Sequence, residues 1–251
     1  DITTGRASSP YITKIDAVKI LGTMLGGYNI QPLIECLKDN ELAETAAHVL
    51  SRTLLIFDAF NEIFELSKTN EHAKKVVEEW ANATWFTEKT DIEEQIKLTV
   101  YKVTGEINTD DLSPAPDAWS RPDIPLHALA MFKMPRTGLD DPLGTIEKLK
   151  EKGNPLVFVG DVVGTGSSRK SATNSVLWHM GDEIPCIPNK KEGGYCFGGK
   201  IAPIFFNTLE DSGAFPIEMD VSKMLMGQEI ILEPLNGCLL YTSDAADDRD
   251  S

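Results

Sequence analysis

The 251-residue sequence has little positive charge and no apolar run long enough to span a bilayer. Its 24 Lys and Arg residues face 39 Asp and Glu residues, which gives a formal net charge of −15. A field of that sign repels phosphate backbones and argues against general nucleic-acid binding. No secretory signal peptide is visible at the N-terminus. The sequence therefore predicts no membrane association.

Cysteines are also scarce, and none belongs to a C-x-x-C pair. Their spacing matches no common metal site: Cys36, Cys186, Cys196 and Cys238. Free thiols in a reducing compartment are the simplest interpretation, so we expect a cytoplasmic protein. The first residue is Asp1 rather than Met, which leads us to expect that the chain starts inside a longer protein.

The remaining composition, 41% hydrophobic and 25% charged, is typical of globular proteins. From about Thr13 to Phe86 the apolar residues recur at helical spacing, and Thr13 with Asp16 forms a possible capping box. One long periodic stretch runs from Leu42 to Phe57. We predict that residues 1–91 form an all-α, helical-repeat-like domain of short antiparallel helices, although no sequence period is apparent.

The pattern changes near Ile92. Alternation from Gln95 to Val100 predicts a half-buried strand, and the apolar run Pro155–Val159 predicts a buried one. Gly160–Gly166 is interpreted as a turn, followed by a helix at 171–180. Further predictions are a loop-rich stretch at 108–117, a short helix at 146–152, a buried run at 201–206 and a late strand at 216–221. Residues 92–236 are thus predicted to be α/β or α+β.

The C-terminal residues 237–251 do not continue this pattern. The segment from Leu239 to Asp248 resembles translated sequencing-adapter DNA, and a natural acidic tail is the alternative. We interpret 237–251 as a non-native tail and leave it out of the fold prediction.

The strongest local signal is Gly-Thr-Gly-Ser-Ser-Arg-Lys at 164–170, between the predicted buried strand and the helix. Glycines present backbone N–H groups, a helix N-terminus adds partial positive charge, and Arg169 can bind a carboxylate through two hydrogen bonds. The spacing differs from phosphate-loop and dinucleotide-binding motifs. An ordinary glycine-rich turn with an N-cap serine remains the alternative.

This motif resembles that of the mobile swivel domain in aconitases. Longer stretches resemble B-type aconitate hydratases, also called 2-methylisocitrate dehydratases: 21–30, 104–128, 159–178 and 198–207. The resemblance covers the chain from about Ser9 to Gly227. It implies part of a HEAT-like helical domain at 1–91 and a β/β/α swivel domain at 92–236.

The resemblance also implies a function: a hydro-lyase of the tricarboxylic acid cycle that interconverts citrate and isocitrate through cis-aconitate and also dehydrates 2-methylisocitrate. In that family a [4Fe-4S] cluster supplies the Lewis acid, and its ligands lie in a domain that we do not find here. By resemblance, Ser167 is the proton-abstracting base, Ser168 bonds the substrate, and Arg169 and Arg121 bind its carboxylates. We therefore expect half of an active site, with no metal ligands and no activity in the isolated chain.

Two other roles stay open. One is a small-subunit-like swivel module that acts in trans with a cluster-bearing partner. The other is a module for homodimer formation, or for mRNA binding after loss of the cluster, as the family resemblance implies.

Several residues near the motif also have two interpretations. Asp110 and Asp111 form a paired-carboxylate site or cap turns. His127 is a proton shuttle or a packed core histidine. Lys170 attracts anions or lies at a solvated helix end, and Cys196 is interpreted as a non-ligand.

Overall fold

The computed structural model describes residues 1–24, 27–53, 57–88, 92–185 and 187–241. It divides into two compact units, Asp1–Asp91 and Ile92–Ser251, which we name the helical unit and the sheet unit. Among the described residues, no helix is both long enough and apolar enough to cross a membrane.

The described residues of the helical unit form helices and no strand. The helices are α1 (Lys14–Thr23), α2 (Ile30–Cys36), α3 (Ala43–Ser51), α4 (Phe57–Ser67), α5 (Glu71–Ala81) and α6 (Thr84–Thr87). The predicted capping box is confirmed, because Thr13 Oγ1 accepts from the Asp16 amide while the Asp16 carboxylate accepts from the Thr13 amide. Buried side chains such as Val18, Leu33 and Val76 form one core.

The periodic stretch from Leu42 to Phe57 is divided between two helices rather than forming one. α3 ends at Ser51, and Thr53 closes its last turn by donating from its amide to Leu50 O and from its hydroxyl to Val49 O. Residues 54–56, which the prediction placed inside the helix, lie outside the described residues.

The sheet unit is built on a mixed six-stranded sheet. Its strands are β1 (Ile96–Asn108), β2 (Leu156–Thr165), β5 (Tyr195–Ile201), β6 (Phe215–Glu218), β7 (Glu229–Glu233) and β8 (Cys238–Tyr241), in the order β6-β5-β2-β1-β7-β8. Strands β6, β5, β2 and β1 are parallel to one another. β7 is antiparallel to β1, and β8 is antiparallel to β7. Two short strands, β3 (Asp182–Ile184) and β4 (Ile187–Glu192), form a separate hairpin.

In the described part of this unit, five helices connect or flank the strands: α7 (Thr109–Leu112), α8 (Ile124–Ala128), α9 (Pro142–Lys150), α10 (Lys170–Met180) and α11 (Pro203–Asp211). A 3-10 turn at Ala115–Asp117 lies between α7 and α8. The predicted loop at 108–117 thus contains only very short elements.

Both faces of the central strands are covered. Tyr101 and Phe158 belong to one core together with side chains of α10 and α11, whereas Val100, Val157 and Val159 belong to a second core. Burial on both faces explains the continuous apolar run that marks β2 in the sequence.

The structure corrects two of the sequence predictions. Gly160–Gly166 is not a turn, since β2 continues to Thr165 and its residues Val162 and Val163 pair with both β1 and β5. The run 201–206 is not buried throughout, because Pro203 and Ile204 are exposed. Pro203 occupies the first turn of α11, where a proline is favourable because it needs no hydrogen-bond acceptor for an amide.

The C-terminal segment falls partly within the structure. Residues 238–241, which we interpreted as non-native, form β8 and pair with β7. Residues 242–251 lie outside the described residues.

Candidate functional site

The glycine-rich motif spans the last residues of β2 and the short turn between β2 and α10. Gly164 and Gly166 have φ angles of +78° and +92°, in the left-handed region that favours glycine. A Cβ on Gly164 would lie 2.2 Å from Cγ of Phe205, so the close packing of α11 also requires glycine there. Thr109 Oγ1 donates to the Ser167 carbonyl at 2.8 Å and ties the turn to α7. The backbone of the turn is therefore held from two sides.

The N-terminus of α10 begins directly after Ser167 and Ser168. Arg169 is its N-cap residue, and the Arg169 side chain makes no capping hydrogen bond to the helix. Uncapped first-turn N–H groups are favourable donors for an anionic group. Both serines are exposed and line a cavity of about 110 Å³ together with Arg169, Thr109 and the start of α11.

Arg169 is oriented by residues far from it in the sequence. Its Nη1 donates to Asp110 Oδ1 and, at 3.0 Å, to the carbonyl of Ser113. The hydrogen bond from Arg169 lowers the pKa of Asp110, so this carboxylate stays ionised beside the guanidinium. Asp110 is thus part of the site in a way that the sequence did not indicate.

Arg121 lies in a different cavity from the motif. This second cavity, of about 210 Å³, is also lined by His127, Ser171 and Asn174. Arg121 Nη1 donates to the carbonyl of Leu126 at 3.1 Å. The structure therefore brings Ser167, Ser168 and Arg169 together and places Arg121 at another cavity beside the first turns of α10.

Asp117 holds the Arg121 side chain on its other side. Its Oδ1 lies 3.5 Å from Arg121 Nε, and Lys133 Nζ donates to both of its oxygens, at 2.9 and 3.2 Å. The hydrogen bond from Lys133 is the main cause that lowers the pKa of Asp117, and Arg121 adds to it. Asp117 therefore remains an anion between two cations.

A chain of polar side chains runs between α8 and α10. Ser113 Oγ lies 2.6 Å from both His127 Nε2 and Ser171 Oγ, and His127 Nδ1 lies 3.2 Å from the Arg121 carbonyl. His127 is buried, in agreement with the packing interpretation, but it has two polar partners that its neighbours in the sequence did not reveal. Serine pairs so far apart along the chain leave no recognisable signal in one sequence.

The two adjacent carboxylates do not share a partner. Asp111 completes a capping box at α7 by accepting from the Asn108 amide, and it also pairs with Arg136. Asp110 instead pairs with Arg169. The capping interpretation is confirmed for Asp111, and the paired-carboxylate interpretation is wrong for this arrangement.

The described residues do not fit an iron–sulfur cluster. They contain no group of three or more His, Cys, Asp or Glu side chains placed to hold a metal. Cys196 lies buried on β5, and burial raises its pKa to about 12, so its thiol stays protonated. Cys186 lies outside the described residues, and Lys170 is exposed at the start of α10.

Comparison with known proteins identifies relatives along nearly the whole chain. The family model described as aconitate B N-terminal domain matches residues 1–86, and the one described as aconitate hydratase 2 N-terminus matches residues 98–249. Aconitate hydratase B of Escherichia coli is 59% identical over 244 residues, which are 94% of this chain and 28% of that protein. Aconitate hydratase B of Pseudomonas aeruginosa has the same identity and the same coverage.

One solved structure also overlaps. A 3-isopropylmalate dehydratase of Methanocaldococcus jannaschii aligns with 59% of this chain and 80% of its own, at 19% identity and a TM-score of 0.40. An overlap that low supports no argument about fold or function.

The chain spans little more than a quarter of the length of the curated relatives it matches. Within that span the identity is high, and the second family model alone covers more than half of the chain. The chain therefore belongs to the aconitate hydratase B family.

Proposed function

We propose that this chain forms the substrate-binding part of an aconitate hydratase. In this proposal residues 1–91 are part of a HEAT-like, repeat-like helical domain, and residues 92–236 are a swivel domain. The reaction is the interconversion of citrate and isocitrate through cis-aconitate, with dehydration of 2-methylisocitrate as a related activity. Free buried thiols at Cys36 and Cys196 support a reducing, cytoplasmic setting.

The observation that carries the proposal is the turn at the start of α10. Two exposed serines, one arginine and an uncapped helix N-terminus line the same cavity. These groups are complementary to a carboxylate, because N–H donors and a guanidinium both stabilise negative charge. A tricarboxylate has further carboxylates, and the proposal assigns one of them to Arg121, which lies at a separate cavity.

Ser167 is proposed as the base that removes the carbon-bound proton. A serine hydroxyl is a weak base unless its surroundings stabilise the alkoxide. Arg169 and the first-turn N–H groups of α10 supply positive charge beside it. Ser168 and Arg121 are proposed to bind and orient the substrate.

In the longer family proteins, a [4Fe-4S] cluster supplies Lewis-acid chemistry at the leaving hydroxyl. The described residues of this chain do not hold it. We expect that the isolated chain forms no isocitrate from citrate in the presence of iron and sulfide. Formation of isocitrate under those conditions would contradict this part of the proposal.

Ligand binding tests the proposal directly. Tricarballylate, a tricarboxylate without the reacting hydroxyl, is titrated into the ¹⁵N-labelled chain, and amide shifts are recorded. We expect shifts concentrated at 166–171, and their loss in Arg169→Lys, because lysine cannot form the two parallel hydrogen bonds of a guanidinium. Arg52→Lys in the helical unit is the control and should bind as wild type, since Arg52 pairs with Glu88 there.

The other roles depend on observations outside this site. Isocitrate formation only after addition of a separate cluster-bearing protein would favour a module that acts in trans. A dimeric mass in solution would support homodimer formation. For mRNA, absence of a gel shift at low salt would end the idea, because electrostatic binding is strongest there.

A further inference from the structure

A buried histidine contacts two segments, each of which holds one of the candidate carboxylate-binding arginines. His127 on α8 is only 8% exposed, and Ser113, its neighbour across the loop, is 1% exposed. Through one ring nitrogen His127 contacts the backbone of Arg121, and through the other it contacts Ser113. The carbonyl of that same serine accepts from Arg169.

The geometry defines part of the proton arrangement. The Arg121 carbonyl can only accept, so Nδ1 of His127 carries a hydrogen and donates it. Ser113 Oγ then bridges Nε2 and Ser171 Oγ, at 2.6 Å from each. Ser171 belongs to the first turn of α10, two residues after the N-cap residue Arg169. This series of hydrogen bonds therefore ends at the Arg121 backbone on one side and at the first turn of α10, beside Arg169, on the other.

We propose that His127 is a positioning residue that couples the Arg121 segment to the Arg169 segment. It sets the distance between two cations that bind different carboxylates of one substrate, and this role rests on the proposed function. His127 does not touch the substrate in this proposal. It acts through the Arg121 carbonyl on one side and through Ser113 on the other.

A second histidine shows what a purely structural role looks like. His179 on α10 is equally buried, at 8% exposure, and its Nε2 contacts the carbonyl of Ala128 at 3.1 Å. Burial lowers the pKa of His179, as expected for a neutral packed imidazole. Among the described residues this hydrogen bond involves neither an arginine nor the backbone of one, so His179→Asn is a matched control for His127.

The test measures the NMR signals of the arginine side chains in the full chain. With ¹⁵N-arginine labelling, the Nε–Hε signals of Arg121 and Arg169 are assigned by loss in Arg121→Lys and Arg169→Lys. The remaining arginines serve as internal references: Arg6, Arg52, Arg136 and Arg249. No ligand is needed, so this readout does not depend on substrate binding.

Two substitutions of His127 distinguish its contact with the Arg121 carbonyl from its contact with Ser113. In His127→Asn the shorter amide can still donate to the Arg121 carbonyl but cannot reach Ser113, so we expect the Arg169 signal to shift and Arg121 to stay. In His127→Gln the longer amide can reach Ser113, so we expect the opposite. Ser113→Ala, which keeps the carbonyl and adds no atoms, should shift Arg169, and it provides the answer if a histidine variant fails to fold.

The second measurement connects the coupling to binding. We expect tricarballylate to bind His127→Asn about tenfold more weakly than the wild type, as for loss of one well-oriented charged hydrogen bond, with His179→Asn unchanged. Two outcomes would overturn the proposal: arginine shifts no larger than those in His179→Asn, or equal shifts of all arginines including Arg136. If the wild type binds no tricarballylate, the proposed function fails, while the arginine signals still decide whether His127 couples the two segments.

Discussion

The helical unit and the sheet unit differ in where their polar side chains lie. Among the described residues, the helical unit buries Asn29 and Ser51, whereas the sheet unit buries eight: Thr99, Thr109, Ser113, Asp117, His127, Thr173, Ser175 and His179. Burial of polar groups is unfavourable unless they are hydrogen-bonded, and satisfied networks restrict a structure to one geometry. Most of the eight lie on α7, α8, α10 or the segments between them, around the candidate site. The helical unit is held mainly by packing, whereas in the sheet unit Ser113, Asp117 and His127 also contact the segments that carry Arg121 and Arg169.

The largest expected effect tests the hydrophobic core of each unit separately. Phe158→Ala should destabilise the sheet unit by about 3–5 kcal/mol, since Phe158 is fully buried between Tyr101 and Phe132. Leu33→Ala should cost the helical unit about 2–5 kcal/mol. Hydrogen exchange at amides of β2 and of α2 reports each unit separately. A loss below about 1 kcal/mol for Phe158→Ala would contradict the assigned core.

The next effect is specific to the site. Gly164→Ala should cost about 1–2 kcal/mol for its positive φ and about 1–3 kcal/mol more for the clash with Phe205. Gly138→Ala is the matched control, because its φ is +80° but nothing lies within 4 Å of the added Cβ. Gly138→Ala should therefore lose only the stability that the positive φ costs, about 1–2 kcal/mol. Urea unfolding with unchanged m values measures both, and equal losses would mean that α11 does not pack closely against the turn.

Local features of both units could be predicted from the sequence. The capping box at Thr13, the apolar run of β2 and the helix after the glycine-rich motif depend on neighbouring residues, and the structure confirms them. The extension of β2 to Thr165 could not be predicted, because it depends on pairing with β1 and β5, which lie far away in the sequence. Short strands such as β7 and β8 have too few residues to show a clear alternation.

The candidate site was predicted only in part, for the same reason. The position of Ser167, Ser168 and Arg169 between a strand and a helix follows from local pattern. The contact of Arg169 with Asp110 joins residues 59 apart in sequence, and that of Ser113 with Ser171 joins residues 58 apart. Single-sequence periodicity contains no information at that range. The roles that we assign by resemblance to the serines and to Arg121 remain predictions until binding is measured.

A smaller effect should be confined to the helical unit. Thr13→Ala removes the capping box of α1 and should cost about 1 kcal/mol, because the first-turn amides lose an acceptor. Thr13→Ser keeps the hydroxyl and should retain most of the stability. Thermal unfolding measures the loss. Tricarballylate shifts at 166–171 should be unchanged in both variants, and a weakened response would mean that the helical unit contributes to the site.

The smallest effect concerns acid stability of the sheet unit. Asp161 accepts from Lys102 Nζ at 2.7 Å and from the Gly105 amide at 2.7 Å, and the bond from Lys102 is the main cause that lowers its pKa. A folded-state pKa below the unfolded value of about 3.9 means that Asp161 stabilises the fold above that pH. This contribution is lost as the pH falls through the lower, folded-state pKa. Since 42% of the Asp161 side chain is exposed, screening should limit it to under about 1 kcal/mol.

Asp161→Asn should therefore be less stable than the wild type at pH 7 and should approach it in acid, where both side chains are uncharged. Asp16→Asn gives the matched measurement in the helical unit, because the hydrogen bond from Thr13 is the main cause that lowers the pKa of Asp16. Urea midpoints of both variants between about pH 7 and pH 2 provide the comparison. If the difference in urea midpoint between Asp161→Asn and the wild type stays constant over that range, the charge of the Lys102–Asp161 pair does not stabilise the pairing of β1 with β2. The difference between the units would then rest on the buried hydrogen bonds of Ser113 with His127 and Ser171.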